Sequence, residues 1–539
     1  MKNTIYPVIL CLYVFTFMNA KAQDNNYWNL MPGSQASLMG GVVVGGVRDN
    51  SAIYYNPGAL GFVDSNTISV SASAYQYEHE KILNGGGANV NFVSGLIQPI
   101  PLVFVSAIIN IKKKPKNSFG GMLFTKNLTS NSFSYRYDGI KDTSILAGDG
   151  YTSKNPGVEY IGEYNLKTSL TELWAGFCYS YQINSHISIG VSPFFAYRIQ
   201  TLSSSFIART FPDSTSNLYK ANITTLEYDD IENINFSNFR ALCKIGIALD
   251  YGDLKIGAAF TTPSINLGGS AIIDRDISYG GVLDTTTNSN SPSIPYSYVL
   301  NDRQQHLKTT YKSPLSASVG IQYKFKSKTT ISFTGEYFGA VAAYDLATPN
   351  SQAFLRPMWM NSNSINNNNL QTFSLYQINS DVYLRILEAS QSVANFGFAI
   401  QQEVSKKIDL VASIRTDFTS FKKASNDFWE YQYVDTLHAP GLNLNFSNIN
   451  LYHLTFGVII RNKKSDVYLG VNYTFGTNTS FQPINNIANP GDNTNNLGAV
   501  APNNANFFYP YGTTGNYTPL ATYKYSSYSL VLGYTHHFY

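Results

Sequence analysis

The stretch "YHLTFGVIIRNKKSDVYLGVNYTFG", residues 452–476, constrains the fold more than any other feature of the chain. Tyr452, Leu454, Phe456, Val458 and Ile460 fall on one face, a polar turn at Asn462 to Ser465 follows, and Val467, Leu469, Val471, Tyr473 and Phe475 again share a face. The opposite face holds His453, Thr455, Gly457, Arg461, Gly470, Asn472 and Thr474. A period of two is that of a strand, so the segment reads as a hairpin with one continuous apolar side.

The pattern recurs in "WAGFCYSYQINSHISIGVSPFFAYRI", "ALCKIGIALDYGDLKIGAAFTT", "LSASVGIQYKFKSKTTISFTGEYF" and "NFGFAIQQEVSKKIDLVASIRTDF", and less regularly across "KKKPKN" between "PLVFVSAIINI" and "FGGMLFTKNL". Six hairpins and the flanking runs near 66–78 and 522–538 bring the count to about fourteen strands. Short turns mark one end. The other end is joined by long, irregular Asn/Ser/Gly/Pro-rich connections near 138–165, 206–233, 273–305, 346–388, 425–446 and 481–520. Short turns on one side and long loops on the other indicate an all-β fold, a transmembrane antiparallel barrel. Closure makes such a chain compatible with lipid, because no strand edge is left unpaired in hydrocarbon.

Composition agrees. Charged residues are 13% of the chain, against about 25% in ordinary globular proteins, and aromatics reach 14%. The formal net charge of +3 gives no nucleic-acid footprint. Residues 1–22 read as a signal peptide: Lys2, the apolar run "IYPVILCLYVFTFM", and Ala20-Lys21-Ala22 ahead of Gln23. Beyond it no run approaches the about 18 apolar residues of a membrane helix. Cys178 and Cys243 fall on opposite faces of their strands, so no disulfide is expected between them.

The same parity aims Arg198, Arg240, Lys244, Arg415, Asp417 and Glu336 into the lumen, since each alternates with apolar neighbours. Nothing in the chain has the spacing of a metal site, and no Gly-rich loop opens a helix, so neither an enzyme nor a cofactor is expected. Residues 23–65 remain outside the strand pattern: too many for a tail, too few for a domain.

Those leftover residues contain "GGVVVGGVRDNSAIYYNPGALGF", residues 40–62, and this run ahead of fourteen strands resembles the FadL-type family of outer-membrane transporters for long-chain fatty acids and other hydrophobic compounds. The resemblance implies three regions: the signal peptide (1–22), an N-terminal hatch in the lumen (23–65) and a fourteen-stranded outer-membrane β-barrel (66–539). It implies that the family's Asn-Pro-Ala hatch motif stands here as Asn56, Pro57 and Gly58. Capture at the extracellular loops, lumen binding beside the hatch and sideways release into the membrane follow by the same resemblance. The exit arises in the family from a kink in the third strand; in the third strand here Gly120-Gly121 would either supply that wall bulge or pack closely against the hatch. A basic lumen residue binds the carboxylate in the family; Arg198 is the best match, and Arg240, Lys244 and Arg415 join it as ligand-binding candidates. The implied partners are a hydrophobic small molecule, a fatty acid first of all, and outer-membrane lipid, with the barrel acting as a monomer. The alternative is an interaction protein: some barrels of this kind in Bacteroidota-like organisms act as shuttles of a secretion system and bind a secreted protein.

Overall fold

In the computed structural model, residues 26–538 are described except positions 88, 352 and 443 and the stretches 99–102, 111–115, 142–157, 212–225, 284–294, 361–371, 423–427, 432–435, 440–441, 445–447, 482–486 and 488–519. The expected signal peptide, the Asn-rich run at 361–371 and the last residue, 539, lie outside them.

One antiparallel sheet closes on itself. Its strands are β1 (Asn66–Leu83), β2 (Phe92–Gln98 and Val103–Asn110), β3 (Asn117–Lys141), β4 (Val158–Gln182), β5 (Ile187–Phe211), β6 (Leu226–Tyr251), β7 (Leu254–Thr261 and Ile265–Leu283), β8 (Pro295–Thr309 and Ser316–Lys324), β9 (Thr329–Phe338 and Val341–Thr348), β10 (Ile386–Ser390 and Val393–Ser405), β11 (Ile408–Asp417), β12 (Leu451–Arg461), β13 (Ser465–Phe481) and β14 (Ala521–Phe538). β14 pairs with β1 from Asn66↔Phe538 to Leu83↔Thr522, which seals the cylinder. Shorter pairs, Ala353–Met360 with Thr372–Asn379 and Phe428–Tyr431 with Thr436–Ala439, belong to the long-loop end.

Several expected loops are strand. β4 runs up to Val158, and β3, β5 and β6 reach Lys141, Phe211 and Leu226, so much of 138–165 and 206–233 extends the wall. The alternation continues there in the opposite phase. Low on β4, Leu173, Phe177, Tyr179 and Tyr181 face outward; higher up, Tyr160, Tyr164, Leu166 and Leu170 are buried inward. The outward positions alternating with them are mostly polar, Glu159, Glu163, Asn165 and Lys167 among them, with Ile161 the apolar exception. β6 switches between Phe236, which faces inward, and Phe239, which faces outward. Below the switch the wall shows an apolar belt to lipid; above it the wall shows polar residues to water and builds an ordinary core inside. A search for one apolar phase stops at the switch and mistakes the rest for loop.

The lumen is filled from both ends. Near the short-turn end, residues 26–63 fold into α1 (Ser34–Leu38), α2 (Ala52–Tyr55) and a 3-10 turn (Pro57–Phe62), all packed within an apolar cluster that includes Leu38, Val42, Ile53, Tyr54 and Leu60. Small inward wall residues make the space. A Cβ on Gly120 would stand 2.7 Å from Ile53 Cδ1, and one on Gly257 would collide with the Val44 carbonyl oxygen. The long-loop half holds a second apolar cluster, with Phe92, Phe133, Tyr164, Phe206, Ile234 and Tyr383 among its members.

Candidate functional site

Between the two apolar clusters lies a cavity of about 90 Å³, bordered by Tyr27, Tyr54, Lys126, Arg240, Lys244 and Tyr311 among others. That is below the roughly 150 Å³ that holds one benzene ring, so a larger guest requires its lining to move. The cavity sits at the level where the strands change phase. There the inward faces have left the polar lower lumen and have not yet become core, which is why charged side chains gather.

All four candidate basic residues point inward, but they do different work. Arg198 donates to Glu172 Oε2 at 3.0 Å and to Gln200 Oε1 at 2.9 Å, and its guanidinium lies 4.1 Å from the Tyr311 ring centre. Arg240 donates to the other Glu172 oxygen and to Ser313 Oγ at 2.7 Å, and it also covers Tyr311. Glu172, on β4, accepts a further bond from Trp174 Nε1 at 2.6 Å. Both arginines therefore share one buried carboxylate and lie against the Tyr311 ring, and among the described residues only Arg240 Nη1 of their nitrogens is left without a hydrogen-bond partner.

Lys244 differs. It is 4% exposed, its Nζ is 4.5 Å from the Tyr54 ring centre, and among the described residues it forms no ion pair. Arg415 stands away from this cavity. It donates to the Asn29 carbonyl at 3.3 Å, close to where Asp417 accepts from the Trp28 amide at 2.9 Å, and so serves the N-terminal segment.

Asn56 is the cap of the 3-10 turn, with Pro57 in its first position. Its Oδ1 accepts from the Gly58 amide at 3.1 Å, and its Nδ2 donates to the Val44 and Ile247 carbonyls, both at 3.0 Å. One side chain thus holds the turn, the preceding chain and wall strand β6 together. Gly58 has no room for the alanine of the family motif, because a Cβ would stand 2.7 Å from the Gly246 carbonyl. Burial pushes the Tyr54 hydroxyl well above its ordinary value and keeps it protonated, despite the nearby Lys244 charge.

The third strand is irregular, but not at Gly120-Gly121. Those residues pair without interruption with Cys178 and Phe177 on β4 and with Ile108 and Ala107 on β2. The register shift falls between Thr125 and Asn127, and Lys126 is the extra residue. On the other side of β3, pairing to β2 ends at Val105↔Leu123; Phe92–Gln98 pairs with β1 and, among the described residues, not with β3. The sequence linking the two parts of β2 contains Pro99 and Pro101, which have no N–H for a ladder. Among the described residues the wall here has an unpaired seam. A second, smaller cavity, bordered by Met31, Ser73, Phe104, Phe124 and Thr125, lies against it.

Lys126, Glu172, Tyr54 and Tyr311 had no place in the sequence reading. Lys126 left a signal: "TKN" at 125–127 puts three polar residues in a row where alternation requires an apolar one.

No protein-family model matches the sequence, and no curated protein matches it. Among solved structures the chain is similar to the Ralstonia pickettii toluene transporter TbuX (12% identity, 95% of this chain and 100% of that one, TM-score 0.47). It is also similar to the P. putida toluene transporter TodX (13%, 94% and 98%, 0.48) and to a Pseudomonas aeruginosa FadL homologue (12%, 95% and 100%, 0.49). At such identities the likeness assigns no role to any residue, and the site stands on this chain's own geometry.

Proposed function

We propose that this protein is an outer-membrane channel for hydrophobic small molecules, which bind in the mid-lumen cavity and leave sideways into the membrane through the β2–β3 seam. The observation that carries the reading is the seam itself: an unpaired edge of the wall beside the cavity containing Lys126 and Lys244. Unpaired backbone at membrane depth is tolerated where it lines a cavity or is covered by protein. A sideways exit suits an apolar cargo, since each methylene kept out of water retains about 0.8 kcal/mol. Residues 26–63 act as the hatch that blocks straight passage, and Lys244 replaces Arg198 as the anchor for an acidic headgroup, a fatty acid's carboxylate being the first candidate. The work is transport, with no bond made or broken.

Native mass spectrometry of the wild type and Lys244→Met tests this. Acyl-chain adducts on the wild type that are lost or strongly reduced on the variant support the reading. A wild-type barrel that stays bare after incubation with fatty acid and carries a protein partner overturns it in favour of the interaction protein.

A further inference from the structure

We propose that Lys126 couples capture of an anionic headgroup to opening of the wall seam, so that it is a positioning residue for release. The inference rests on the lumen-to-membrane route above and assigns that route its trigger.

Three structures meet at this ammonium. Lys126 is the bulged residue of β3, next to the seam. Its Nζ donates to the Tyr27 carbonyl at 2.5 Å, which ties down the N-terminal stretch bordering the cavity. It also lies 5.4 Å from the Tyr54 ring centre, the ring that Lys244 approaches from β6. Two cations on two wall strands thus share one aromatic ring of the N-terminal segment, and among the described residues neither forms a direct ion pair, although Glu336 and Asp417 act on Lys126 from further off.

A neutral carbonyl and a π face are weak substitutes for an anion. The bond from the ammonium to the carbonyl is charge-assisted but brings no countercharge. A cation–π contact contributes about 0.5–2 kcal/mol, whereas a carboxylate adds the Coulombic attraction of a full opposite charge. A carboxylate entering beside Lys244 therefore attracts Lys126 as well. On turning towards it, Lys126 releases the Tyr27 carbonyl while Trp28 stays held, its Nε1 by Glu336 at 2.8 Å and its amide by Asp417. The freed stretch is hinged rather than lost. The motion occurs at the bulge, where the β3–β4 ladder is already interrupted, and the Asn29–Asn127 contact at 3.4 Å passes it to the next residue of the strand. An uncharged guest has no such hold on Lys126.

The test uses the full-length protein, wild type, Lys126→Met and Lys126→Arg, in vesicles with a lipopolysaccharide outer leaflet, with dansyl-aminoundecanoate and its methyl ester as probes. Equilibrium binding is read by dansyl fluorescence in detergent, and passage by its rise on entering the vesicle membrane. The proposal expects Lys126→Met to bind the anion within about threefold of wild type, yet to pass it about tenfold or more slowly, the scale of one charge-assisted hydrogen bond. The ester should pass at the wild-type rate, and Lys126→Arg should recover most of the anion rate. Equal slowing of acid and ester, or binding and passage of the acid falling in the same proportion, overturns the proposal. A wild type that binds neither probe overturns the route itself, and that result is visible without any variant.

Discussion

Replacing Asn56 by Asp isolates the contact that fastens the N-terminal segment to the wall. The side chain keeps its shape and still accepts from the Gly58 amide, but its donor becomes an oxygen facing the Val44 and Ile247 carbonyls, each now 3.0 Å away. Losing two hydrogen bonds removes about 2 kcal/mol, and leaving buried carbonyls opposite a third oxygen adds about 1 kcal/mol or more. A total of about 3 kcal/mol corresponds to roughly a hundredfold shift in the ratio of docked to undocked segment. Barrel closure does not involve Asn56, because β1 and β14 seal it through their own ladder. The barrel should therefore fold and migrate normally on a heat-modifiability gel. Hydrogen exchange reads the effect: amides of residues 42–59 should exchange about a hundredfold faster in Asn56→Asp, while β4 to β6 stay as protected as in the wild type. If residues 42–59 remain as slow as in the wild type, Asn56 does not hold the segment and the docking account is wrong.

Two further outcomes follow from the wall. Gly257→Ala pushes a methyl into the Val44 carbonyl and should loosen residues 42–47 by about 1–3 kcal/mol in the same exchange experiment, whereas Gly121→Ala, whose nearest neighbour would be 3.9 Å away, should change nothing there. Phe177→Arg places a charge on the lipid-facing belt, where Phe177 is 67% exposed, and should lower stability by about 2–4 kcal/mol in reversible unfolding from liposomes. Lys167→Glu, outward above the phase switch on the same strand, should stay within about 0.5 kcal/mol.

Legibility varied along the chain for physical reasons. Below the phase switch, inside and outside differ as sharply as lumen and lipid, so period-two alternation located the hairpins, their turns and the inward direction of Arg198, Arg240, Lys244 and Arg415. Above it the same alternation persists with inverted sign, and Tyr160, Glu163 and Tyr164 fall in the expected loop 138–165 because the apolar members there point to a core. In the sequence Gly120-Gly121 is compatible both with a bulge matching the family's third-strand kink and with close packing against the hatch, since glycine serves either. Those residues make room for Ile53, and the break falls at Lys126, where the polar run interrupts the pattern.

The sequence by itself determined the strand count, the membrane-facing belt and the presence of an N-terminal segment that no strand pattern absorbs, because each is a local periodicity or its absence. It could not determine which lumen cation is free. Glu172 lies 26 residues from Arg198 and 68 from Arg240 along the chain, and only the pairing of β4 with β5 and β5 with β6 brings the three together. That closure sets both arginines against one carboxylate, leaves Lys244 facing a tyrosine with no ion pair, and sets Lys126 at a seam where, among the described residues, two neighbouring strands part.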